Sequence, residues 1–175
     1  MKTSTFFLGA VLATSAMALP HTAIHKRDIT EQQVFDSINA WINNVDNVNS
    51  FLDAASGLST ADLQSGAQTA LDNANDEPIQ LSILSNVSNL DSSGTGAALL
   101  LSEVFGNVIT QLQNIINNPS DSQTISTALT IINNTRCLNV LPAATNLWAA
   151  AASAVGAPPP PPAGVPQACS NLNGK

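Results

Sequence analysis

After Arg27 the chain carries twelve carboxylates, two cysteines, two tryptophans, one arginine and one lysine, but no histidine, tyrosine or methionine. That inventory is poor in groups that move protons near pH 7. A serine nucleophile needs a base, most often histidine. His21 and His25 both precede the dibasic pair Lys26-Arg27, and no Gly-x-Ser-x-Gly elbow occurs. Carboxylates are plentiful enough for a paired acid–base glycosidase, but sugar sites also use aromatic platforms, and Trp41 and Trp148 fall on apolar helical stripes. The oxygen-rich run Asp72-Asn73-Ala74-Asn75-Asp76-Glu77 is superficially calcium-like. Its third position is Ala74 and its sixth Glu77, where an oxygen donor and glycine are needed. It reads as a polar turn between helices. No catalytic residue, metal site or cofactor is expected, and the chain reads as non-enzymatic.

The first residues point to secretion. Met1-Lys2, the apolar run Phe6 to Ala13 and the small residues Ala16-Met17-Ala18 have the layout of a signal peptide over 1–18, cleaved after Ala18. Residues 19–27 end in Lys26-Arg27 and read as a pro-segment removed by a dibasic protease. In an oxidising compartment two cysteines, Cys137 and Cys169, make one disulfide the default. Asn86-Val87-Ser88 and Asn133-Asn134-Thr135 are candidate N-glycosylation sites, with Asn86 and Asn133 as acceptors. No later segment is long and apolar enough to span a membrane. The expected location is extracellular or cell-wall associated.

All twelve acidic residues follow Arg27, against two basic ones, a net charge of −10. Such a surface repels phosphate backbones and anionic headgroups, so nucleic acid is not an expected partner.

The elements that must position any site are helical. Val34, Ile38, Trp41, Val45, Val48, Leu52 and Ala55 recur at alternating steps of four and three, with Thr30 and Gln33 as a capping box. Asn and Asp fill the other face and are mediocre helix formers, so burial must hold this helix together. A second helix opens at Ser59-Thr60-Ala61-Asp62 with Leu63, Ala67, Ala70, Leu71 and Ala74 inward. Pro78 opens a third, with Ile79, Ile83, Val87 and Leu90 in register. The fourth carries Ala97, Leu101, Val104, Val108, Leu112 and Ile115, the fifth runs from Ser120 to Asn134, and the sixth from Pro142 to Val155 before Gly156. No period-two run competes.

The expected fold is all-α, an antiparallel bundle of five to six helices over 28–156 with a C-terminal polyproline strap and tail over 157–175. Pro158 to Pro162 adopt an extended form at about 3.1 Å per residue. That segment can retrace the roughly 20 Å travelled by the sixth helix, returning Cys169 to Cys137 and closing the strap.

Long aliphatic stripes with many alanines can leave dry gaps that accept hydrocarbon. If an interior ligand pocket exists, Ile38, Trp41, Val45, Leu101, Val108 and Leu112 are its expected walls; the alternative is that the same residues simply fill the core. Phe35, Ile42, Phe51, Leu99, Leu100 and Ile109 widen the stripes further. Only Arg136 and Lys175 could meet a fatty-acid carboxylate, so a neutral lipid, or a carboxylate held by Ser, Asn or Gln, is the expected ligand form.

The signal peptide, the opening amphipathic helix from Ile38 to Leu52, the Ala/Ser/Asp/Asn-rich helices and the acidic balance together resemble the fungal hydrophobic surface-binding protein A-like and cell-wall galactomannoprotein family. The resemblance covers about Thr30 to Asn134, and the dibasic site suits a fungal secretory route. It implies a glycoprotein-like helical bundle in the wall or medium that adsorbs to hydrophobic surfaces or holds lipid. The Cys137–Cys169 strap and the proline run are departures from that pattern, and no site residue carries over. The leading expectation is a secreted protein binding lipid or a hydrophobic surface; the alternative is an effector-like or wall interaction protein binding a protein or glycan.

Overall fold

The computed structural model describes residues 28–171. The expected signal peptide and pro-segment, with Ala18, Lys26 and Arg27, lie outside the described residues, as does Lys175.

Helix α1 spans Glu31–Ala54 and starts as its sequence dictates. The Thr30 hydroxyl accepts from the Gln33 N–H at 3.3 Å, and the Thr30 N–H donates to Gln33 Oε1 at 3.0 Å. The whole expected stripe, from Val34 to Ala55, is buried at 6% exposure or less. The asparagine-rich flank is put to use as well. Ser37 bonds Gln80, Asn44 bonds Asp76 and Asn47 bonds Asn73, positions that rise along α1 as they fall along the next helix. That order makes the pair antiparallel.

The partner, α2, spans Thr60–Leu84 without interruption, with Ser59 accepting from the Asp62 N–H at its start. Here the sequence expectation is corrected. Pro78 does not open a third helix, and the Asp72–Glu77 run is helix interior rather than a turn. An interior proline costs about 3 kcal/mol because it lacks an N–H and crowds the preceding turn. Burial on both sides of it offsets that cost. The stripe Leu63, Ala67, Ala70, Ala74, Glu77, Leu81, Leu84 keeps its three-and-four spacing straight across Pro78 and is buried throughout. Ile79, expected inward, is instead 56% exposed.

Helix α3 (Ser92–Asn117) is capped by Asp91, whose Oδ1 accepts from the Gly94 N–H at 2.7 Å. A Cβ at Gly94 would stand 2.5 Å from Ala150 Cβ and collide with Leu90, so only glycine lets α3 approach its neighbour this closely. Helix α4 (Ser122–Thr135) runs through a single π-helical turn, Arg136–Val140, into α5 (Leu141–Ala154). The Leu141 N–H bonds the Arg136 carbonyl, a wide turn just ahead of Pro142 that accommodates the proline without ending the helix. The expected fifth and sixth helices are thus one continuous rod. At its start the Asp121 carboxyl accepts from the Thr124 hydroxyl and from the Thr124 and Gln123 N–H groups, which hold it below the usual carboxylate range.

Among the described residues the all-α fold therefore has five α-helices, the last two joined into one rod, so that four rods stand where five to six separate helices were expected. Trp41, Phe105 and Trp148 meet where α1, α3 and α5 converge, with ring centroids 5.8 Å apart in both pairs that Trp41 makes. Gly156, at φ 78°, turns the chain out of α5. Residues 157–166 then run back without helical turns, tied by the Ala163 N–H to Thr145 Oγ1 and the Gly164 carbonyl to Asn49 Nδ2. The Cys137–Cys169 disulfide closes this segment, with Cα atoms 5.6 Å apart. Cross-linking across 32 positions stabilises the fold by about 3–4 kcal/mol on the chain-entropy account. No helix among the described residues is long and apolar enough to cross a membrane.

Candidate functional site

The six residues expected to wall an interior pocket do come together, but as packed core. Ile38, Trp41, Val45, Leu101, Val108 and Leu112 are each 1% exposed or less. The four cavities described for the molecule are lined by other residues. Of the residues that widened the stripes, Phe51 is buried and Phe35, Ile42 and Ile109 are half-buried. Leu99 and Leu100, at 64% and 36%, are left uncovered on α3.

Leu99 belongs to a groove of about 490 Å³ between the end of α2 and the start of α3. Its formation follows from the two helices. The half of α2 beyond Pro78 turns Leu81 and Ser82 toward α3, which in turn offers Thr95, Ala98, Leu99 and Ser102. Leu90, in the connecting turn, closes one end. No ionisable residue lines it. The polar groups present are hydroxyls, and three of them have already spent their protons on helix carbonyls. Ser85 donates to Ser82 O at 3.3 Å, Thr95 to Asp91 O at 2.9 Å and Ser102 to Leu99 O at 2.6 Å.

The core holds the opposite arrangement. Arg136 is fully buried, and its Nη1 donates to Glu77 Oε1 at 3.0 Å. Trp41 Nε1 donates to Glu77 Oε2 at 3.3 Å, while Arg136 Nη2 donates to Asn49 Oδ1 at 3.2 Å. Asn49 also holds the strap through Gly164, so the network joins α1, α2, the π-turn and the strap. Arg136 is therefore committed internally and is no cation for a ligand carboxylate. Sequence reasoning missed this pair. Its signal was the stripe continuing through Pro78, which puts Glu77 on the buried face opposite Trp41.

A third region lies at the far end of α1. Two cavities of about 500 and 590 Å³ share Ser56, Leu129 and Asn133 and are edged mainly by hydroxyls and amides. Asn133 Oδ1 is buried there without a hydrogen-bond partner. The two candidate glycosylation acceptors thus differ in placement. Asn133 is half-buried on α4, and Asn86 is exposed just past α2, its side chain donating to Ser82 O at 2.7 Å. Among the described residues no group of three or more His, Cys, Asp or Glu is placed to hold a metal ion. The Asp72–Glu77 oxygens serve helix pairing instead, Asp76 accepting from Asn44 and Gln80.

Fold and site together define an all-α, disulfide-closed protein with a charge-paired core and an uncharged apolar groove on its surface. Comparison with protein-family models, with curated proteins and with solved structures returns no match.

Proposed function

We propose that this protein is an extracellular, non-enzymatic binder of apolar material, engaging it through the α2–α3 groove rather than through the interior of the bundle. The observation that carries this reading is Leu99, 64% exposed at the lip of an uncharged groove of about 490 Å³, where it lies beside Leu81, Leu90 and Ala98. Leaving a leucine in water forgoes roughly 1.5–3 kcal/mol of burial that an apolar partner would recover. The disulfide accords with an oxidising compartment, and the resemblance to hydrophobic surface-binding proteins points the same way. The acidic balance directs the groove toward uncharged surfaces or neutral lipid rather than anionic bilayers.

Adsorption to octyl-coated beads tests the reading. Leu99→Glu should reduce adsorption about tenfold while the helical circular-dichroism signal stays unchanged. Undiminished adsorption of that variant would place the contact elsewhere.

A second reading, a wall or host-directed interaction protein that binds a protein or glycan, draws on the cavities around Asn133. The partnerless Oδ1 there suits a hydroxyl or amide donor. Beads failing to retain the wild-type protein, with a polar partner lost on Asn133→Leu, would favour it.

A further inference from the structure

The groove's hydroxyls decide more than that its occupant is greasy. We infer that the α2–α3 groove selects single-chain lipids bearing a neutral hydroxyl headgroup over fatty-acid anions and over chains with no donor. This inference rests on the groove reading above and adds the headgroup chemistry. Each of Ser85, Thr95 and Ser102 donates its one proton to a backbone carbonyl, which leaves the hydroxyl oxygen as an acceptor. A ligand group seated against them gains a hydrogen bond only by donating one. An alcohol does so. Ser82, the fourth lining hydroxyl, can donate to an ester or a carboxylate as well, but an alcohol alone can accept from it and also donate to the other three. The carboxylate also finds no counter-charge. No cation lines the groove, and Arg136, the one basic residue among 28–171, is sealed in the core against Glu77. A carboxylate seated there gains no ion pair in return for the water it gives up. A volume of about 490 Å³ falls in the range of small-molecule sites, roughly 300–1,000 Å³, and suits one chain rather than several.

Displacement of the neutral dye Nile red from the purified secreted chain at pH 8 reads this directly. 1-Hexadecanol should displace the dye at about fivefold lower concentration than methyl palmitate, the worth of one net hydrogen bond. Against palmitate the advantage should be about tenfold or more. The triple variant Ser85→Ala, Thr95→Val, Ser102→Ala should bring hexadecanol to the level of the methyl ester while still binding Nile red. Equal displacement by all three lipids, with dye binding still abolished by Leu99→Glu, would overturn the headgroup inference and leave the groove reading standing. Dye binding that Leu99→Glu does not touch, or no dye binding at all, would overturn both.

Discussion

Glu77 and Arg136 are charged and fully buried, whereas Leu99 is apolar and 64% exposed. Each region inverts the usual rule for its place, and the two inversions differ in whether the chain itself answers them. In the core, Trp41, Asn49 and the Val45 carbonyl surround the ion pair, so every partner it has comes from within the fold and only Arg136 Nε goes without one. On the surface the apolar groove is faced by nothing in the described chain. The buried pair is therefore best understood as architecture, tying three rods and the strap together. The uncovered groove is the part still owed a partner.

The comparison breaks most visibly if the core pair is not structural. Arg136→Met should lower the unfolding free energy in urea by about 3–5 kcal/mol, since Glu77 is left buried without its counter-charge. Adding Glu77→Gln to that variant should restore much of the loss, because the uncompensated charge is gone. A small effect of the single change would mean that water already reaches Glu77.

Next in size is the strap. Cys137→Ser with Cys169→Ser should cost about 3–4 kcal/mol, and the loss should leave bead adsorption intact because neither residue lines the groove. Adsorption lost together with the disulfide would join two regions that are held here to be separate. Smallest is the groove itself. Leu99→Glu should change stability by no more than about 0.5 kcal/mol, as expected of an exposed position, while reducing adsorption to octyl beads about tenfold. A large destabilisation would make Leu99 a packing residue rather than a contact.

Much of the fold is legible in the chain. The α1 stripe, the Thr30–Gln33 capping box, the Ser59 start, the Gly156 turn and the all-α class follow from spacing and cap chemistry, both local properties. The breaks are less legible. Pro78 and Pro142 read as helix starts because proline disfavours a helix interior, yet helical structure runs through both. Packing on either side outweighs the local cost at the first, and a widened π-turn absorbs it at the second. The interior pocket walls show the same limit. Ile38, Trp41, Val45, Leu101, Val108 and Leu112 were identifiable as inward-facing, but not whether space would remain between them. The aromatic contacts of Trp41 and the close approach permitted by Gly94 leave them tightly buried.

By itself the sequence determined which faces are apolar, where helices are capped, that histidine is lacking after Arg27 and that two cysteines stand ready to pair. Only the tertiary structure decided that Arg136 meets Glu77 across 59 positions, and that Leu99 stays in water while Leu101 does not. Periodicity specifies a direction around one helix axis. Which neighbour waits in that direction, or whether any does, is fixed only when all four rods are assembled.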